Sequence, residues 1–235
     1  MLKKLLVRER DVQDLNSNLR TEIAEGFGLS KSQFGQFTKR TLPNARQSTF
    51  EFGTASQTLA TDQRGAQRPV VEIAKGRGWH ALAGASMTWS SHSRKELAFV
   101  DCQVIVFLRE MDAEEGGRQL LRLEWESLDG NDERNFDGEI AHPHWQIDLS
   151  EFEPQPAPFP SDEILTSIPG QRQLPDLAWS SRLHLAAAAR WTSEYWSDHR
   201  PVPHVSGPQT TDQIRKWMGN ACRYVRYQMS EALSR

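Results

Sequence analysis

Leu97-Ala-Phe-Val-Asp-Cys-Gln-Val-Ile-Val-Phe-Leu108 is the stretch on which the fold turns. Its second half, Val104 to Leu108, is an unbroken apolar run containing three β-branched residues, which suits a strand buried on both faces. The next segment, Leu120 to Glu126, alternates instead: Leu121, Leu123 and Trp125 share one side, Arg122, Glu124 and Glu126 the other. Between the two, Met111 to Gly117 is acidic and ends in glycines, which predicts a hairpin connection. Two antiparallel neighbours at the centre of a sheet follow.

A second acidic connection, Asp129 to Glu139, leads to His142-Pro-His-Trp-Gln-Ile-Asp-Leu149. Alternation places His144, Gln146 and Asp148 on one side and Trp145, Ile147 and Leu149 on the other, with Pro143 marking an edge or a turn. If the three strands form a meander, their apolar sides cover one helix layer, and their polar sides bring Glu124 or Glu126 near His144 or Asp148.

That polar side has a chemical reading. An imidazole from His144 and carboxylates from Asp148 and Glu124 are the ligand types of a divalent metal site. Glu126 or Asp101 can complete the site or activate water, and His142 can serve as acid or base because imidazole titrates near neutral pH. With nucleic acid bound, Glu124, Glu126, His142, His144 and Asp148 would form the catalytic set of a metal-dependent nuclease or phosphohydrolase. The plainer reading is that Asp148 pairs with Arg122 across the sheet and His144 faces solvent, which gives only modest strand stabilisation. The cofactor is unspecified by the sequence, and a divalent metal enters only with the enzymatic reading.

Outward from this centre the periodicity becomes helical. From Glu9 to Glu25, Val12, Leu15, Leu19 and Ile23 recur at three- or four-residue spacing, one apolar stripe. Gly26 and Gly28 interrupt it, Ser30 with Gln33 predicts a capping box for a second short helix carrying Phe34 and Phe37, and Pro43 ends it. Ile23-Ala-Glu-Gly-Phe-Gly-Leu-Ser-Lys-Ser-Gln33 resembles the core of a helix-turn-helix over about twenty residues. That resemblance implies a DNA-binding regulator in which Lys31, Gln33, Gln36, Lys39 and Arg40 contact bases or phosphates. Residues 41 to 68 lack a period and read as a connector, Val70 to Ile73 as a short strand, and Lys75-Gly-Arg-Gly78 as a surface turn.

Beyond the centre, prolines at 154, 156, 158 and 160 predict a stiff crossover over 153–161. A helix is expected over Leu183 to Ser197, and a last helix follows a Thr210–Gln213 capping box. Ile214, Trp217, Met218, Ala221, Val225, Met229 and Ala232 draw its apolar stripe, beside a basic cluster of Arg215, Lys216, Arg223 and Arg226 that suits phosphate or an acidic protein.

The fold expectation is therefore α+β, a mainly antiparallel sheet packed against N-terminal and C-terminal helices. It divides into a helical segment 1–45 and a main domain 66–235. The net charge of −3 conceals a division: residues 1–95 carry fifteen basic and eight acidic side chains, whereas residues 96–163 carry four and eighteen. Nucleic acid could thus meet only a local surface. Cys102 and Cys222 fall in apolar surroundings and read as thiols, not a disulfide. No apolar run reaches the roughly 20 residues of a membrane span. The start, Met1 to Arg10, turns charged too early for a secretory signal, so a cytoplasmic location is expected. The leading functional expectation is a non-enzymatic binding or adaptor component of a larger assembly, associated with nucleic acid, with a protein partner or a second copy of itself.

Overall fold

A computed structural model describes residues 4–41, 47–54, 58–113, 116–127, 144–147 and 207–234. Its spine is a long hairpin of β6 (Trp79–Ser91) and β7 (Glu96–Glu110), paired antiparallel along almost their whole lengths. On the far side of β6, its first half pairs with β5 (Gln67–Gly76) and its second half with β3 (Gln47–Gly53). On the far side of β7 lie β8 (Arg118–Glu126) and the short β1 (Leu6–Arg8). Outside these come β2 (Gln36–Thr41) on β3, β4 (Thr58–Thr61) on β5, and β9 (His144–Ile147) on β8. Every pairing is antiparallel, so the central β7-β8-β9 meander has the order and direction expected from the alternation of those segments.

Two helices, α1 (Glu9–Gly26) and α2 (Thr211–Ser234), cover one face of the sheet. The stripe Val12, Leu15, Leu19 and Ile23 of α1 is buried, as are Ile214, Trp217, Met218, Ala221, Val225, Met229 and Ala232 of α2. They share one core with Phe50, Phe52, Met87, Trp89, Phe99, Cys102, Val104, Leu121, Leu123 and Trp125. Ring contacts mark the junctions: Trp125 lies 6.1 Å from Trp217 and Trp145 lies 5.9 Å from Tyr224. Each fully buried large side chain of this core, Trp217 among them, contributes roughly 1.5–3 kcal/mol, so the sheet holds its helices mainly through this face. A smaller cluster, Ala60, Val70, Leu82, Ile105 and Phe107, lies on the opposite face.

The α+β expectation holds in outline, with strands outweighing helices among the described residues. Three local expectations need correction. Residues 31–33 form a single 3-10 turn, and residues 36–41 are strand β2, so the second helix is not formed and Lys39 and Arg40 lie on a sheet edge. The Ser30–Gln33 cap itself is present, with the Ser30 hydroxyl 2.9 Å from Gln33 Oε1. Gly35 ends the turn, and Phe37 then packs edge-on against Phe52 at 5.6 Å, a contact available only to an extended chain beside β3. Second, much of the connector at 41–68 consists of strands β3 and β4. Third, the short strand at 70–73 is the middle of a ten-residue strand. The turn at 75–78 closes the β5–β6 hairpin, with Arg77 and Gly78 at φ 49° and 80°, the left-handed pair that a two-residue hairpin turn requires. The 153–161 crossover and the 183–197 helix lie outside the described residues.

Candidate functional site

Alternation along each strand turns a second set of side chains away from the helices, and sheet register assembles them into rows. Glu51 on β3 pairs with Ser86 on β6, Ser86 with Gln103 on β7, Gln103 with Glu124 on β8, and Glu124 with His144 on β9. The adjacent row runs Thr49, Thr88, Asp101, Glu126. Glu51, Ser86, Thr88, Gln103, Arg122 and Glu124 are all buried, an unusual density of polar groups for one sheet face.

Two arginines organise the charges. Arg68 donates to Glu51 Oε1 and to Asp62 Oδ2, each at 2.8 Å. Asp62 also accepts the backbone N–H groups of Arg64 and Ala66, which shapes the β4–β5 turn. Burial pushes its pKa up, but the Arg68 and backbone hydrogen bonds outweigh that and hold the carboxyl below its usual range. On β8, Arg122 Nε lies 2.7 Å from Glu124 Oε2, and its guanidinium donates to the side-chain oxygen of Gln146. Gln146 in turn donates to Glu124 Oε1 at 2.9 Å.

Asp101 is the outlier. Burial raises its pKa to about 6, and although the Thr88 hydroxyl bonds to it, the charges of Glu126 and Glu124 add to the upward push. Its Oδ1 is buried without a hydrogen-bond partner. A β-bulge creates this setting. Thr88 pairs with Asp101 while Trp89 pairs with Phe99, leaving Val100 over, so Phe99 and Cys102 both reach the helix side and Asp101 faces away. The Cys102 and Cys222 thiols are buried in the core, and burial pushes both pKa values up.

The meander brings Glu124 into register with His144, one of the expected juxtapositions. Glu126 pairs with Asp101, and Arg122 turns to Glu124 and Gln146. His142 and Asp148 lie outside the described residues, as does the His144 side chain. Among the described residues, no group of three or more His, Cys, Asp and Glu is placed to hold a metal ion. Glu51, Asp62, Arg68, Ser86, Thr88 and Gln103 escaped the sequence reading. The clue was Phe50-Glu51-Phe52, a period-2 triplet inside the supposed connector.

The residues expected to meet nucleic acid are dispersed. Lys31 is exposed on the 3-10 turn, and Lys39 Nζ lies 3.2 Å from Glu9. On α2, Arg215 pairs with Glu22 and Asp212, Lys216 pairs with Asp212 at 3.1 Å, and Arg223 donates to Asn220 at 2.8 Å. Arg226 lays its guanidinium against Gly28, where a Cβ would come within 2.3 Å of it. The basic cluster on α2 is therefore largely turned to holding α1 and its own helix.

A different cationic surface emerges at one end of the sheet. Arg8 at the end of β1, Glu9 and Arg10 at the start of α1, and Ser93, Arg94, Lys95 and Glu96 at the β6–β7 turn line an open concavity of about 640 Å³. Among the described residues, no helix is long and apolar enough to cross a membrane.

No protein-family model matches the chain, and neither the curated proteins nor the solved structures include a significant match.

Proposed function

We propose that the protein is a non-enzymatic binding component of a larger cytoplasmic assembly, associated with nucleic acid and held there by a protein partner or a second copy of itself. The observation that carries this reading is the mutual pairing on the polar face. Arg68 is spent on Glu51 and Asp62, and Arg122 on Glu124 and Gln146. These charges tie β3 to the β4–β5 turn and β8 to β9 instead of converging on one reacting atom. Incubating the protein with Mg²⁺ or Mn²⁺ and labelled nucleic acid should give binding without cleavage.

A metal-dependent nuclease or phosphohydrolase is the second reading. It is favoured by the pairing of Asp101 with Glu126 and of Glu124 with His144, and by an Asp101 carboxyl raised to about 6. Under that reading a divalent metal would activate water beside Glu124, and Asp101 would move the proton. Metal-stimulated hydrolysis abolished by Glu124→Gln or Asp101→Asn would replace the first reading with the second.

A further inference from the structure

We infer that the concavity between the β6–β7 turn and the start of α1 seats the phosphate backbone of a nucleic acid. The inference rests on the nucleic-acid part of the function proposed above and gives it a site. Arg8, Arg10, Arg94 and Lys95 line the concavity against two carboxylates, Glu9 and Glu96, and all six side chains are exposed. The neighbouring acids are occupied locally: Glu9 by Lys39 at 3.2 Å, Glu96 by the Ser93 hydroxyl at 3.4 Å, and Asp11 by Arg10 at 3.5 Å. Among the described residues, no carboxylate forms an ion pair with the Arg8, Arg94 or Lys95 side chain, although Asp11 accepts the Arg8 backbone N–H at 3.1 Å and Glu96 stands opposite Arg8 in the ladder. This is the contrast with α2, where Arg215 and Lys216 are already paired.

The cations come from segments far apart in sequence, yet the backbone fixes their spacing. Arg8 lies in register with Glu96 across the β1–β7 ladder, and Arg94 and Lys95 sit in the tight connection of the central hairpin. The backbone spacing is thus set before an anion arrives, and the exposed side chains still lose rotamer freedom on binding it. Guanidinium groups match phosphate oxygens in bidentate geometry. Every side chain lining the concavity is polar or charged, without the aromatic or methionine anchor that carries most protein–protein interfaces. The absence of such an anchor argues against an ordinary protein interface, and comparison with polyglutamate separates a phosphodiester backbone from an acidic protein.

The test is fluorescence anisotropy with labelled oligonucleotides of about 20 nucleotides, single-stranded and duplex, between about 50 and 200 mM salt, with polyglutamate as the comparison anion. The wild-type chain is expected to bind nucleic acid with an affinity that falls steeply with salt. Arg94→Glu/Lys95→Glu should weaken binding at least about tenfold at low salt and lessen the logarithmic salt slope by about 2. Arg8→Ala should weaken it about threefold, and Arg223→Glu on α2 should leave it unchanged. Thermal unfolding of the same variants reports their folding, and the neutral Arg8→Ala keeps the site testable if charge reversal impairs it. Nucleic-acid binding that is indifferent to Arg8, Arg94 and Lys95 would overturn the site while leaving the broader association standing. Salt-dependent binding of polyglutamate without nucleic acid would overturn the ligand class, and absence of binding to both would overturn the site and the association together.

Discussion

Asp101 shows how one residue can be set against the stability of its own fold. A carboxyl raised from its ordinary 3.8 to about 6 is held more readily as the acid in the folded protein than in the unfolded chain. The folded state therefore binds the extra proton between these values, and the contribution of Asp101 to stability increases as pH falls from about 7 toward 4. Above pH 6 the ionised group destabilises by an amount bounded at about 3 kcal/mol, since each pKa unit corresponds to about 1.4 kcal/mol. Asp101→Asn keeps an oxygen for the Thr88 hydroxyl and removes the charge facing Glu126. Urea unfolding at pH 7 should show this variant more stable by about 1–3 kcal/mol, and the gain should vanish near pH 4. A variant less stable at pH 7 would mean that the ionised carboxylate supports the fold, and would count Asp101 among the structural charges of the polar face at the expense of the enzymatic reading.

At the scale of elements, the crossing of α1 and α2 depends on how closely their backbones approach. A Cβ on Gly26 would lie 2.8 Å from Cys222 Cβ and 3.2 Å from the Arg223 backbone nitrogen, atoms that move only if α2 moves. A Cβ on Gly219 would meet the Glu22 carboxylate oxygen at 2.8 Å, the far end of a flexible side chain. Gly26→Ala should therefore cost about 1–3 kcal/mol by overpacking. Gly219→Ala should be neutral or stabilising by up to about 1 kcal/mol, because alanine favours a helix interior. Equal losses in chemical denaturation would show that Glu22 cannot give way at Gly219, and no loss at Gly26 would show that the helices pack less tightly than their backbone spacing indicates. The same scale explains what was legible in the sequence. The stripes of α1 and α2 and the alternation of β8 and β9 were readable because each has one buried face and one polar face, so periodicity reports burial directly. β2 and β3 were not readable, because Phe37, Phe50 and Phe52 occur in short segments whose pattern also fits a helix or a loop. Their partners lie across sheet pairings or just past the end of α1, where Phe27 meets Phe52 at 6.2 Å.

For the whole molecule, the two ends of the chain close one core. α2 lies across β5, β6 and β7 and against α1, and its Trp217 is fully buried beside Trp125. A chain shortened to end at residue 206 would expose the apolar helix-side face of the sheet and should lose cooperative unfolding in circular dichroism and aggregate. A soluble, cooperatively unfolding truncation would show that α1 and the sheet suffice. By itself the sequence determined the antiparallel meander at 97–147, the two amphipathic helices and the sides on which their apolar residues lie, because these follow from local spacing and from the transfer of apolar surface out of water. The tertiary structure alone decided which polar groups meet. The Val100 bulge re-aimed Asp101, register joined Glu51 to Gln103 and Glu124 across four strands, and the β1–β7 ladder carried Arg8 to Arg94 and Lys95. Those meetings depend on pairings between segments up to about ninety residues apart, and a pairing of that kind is fixed by the packing of the whole core, not by the residues on either side of it.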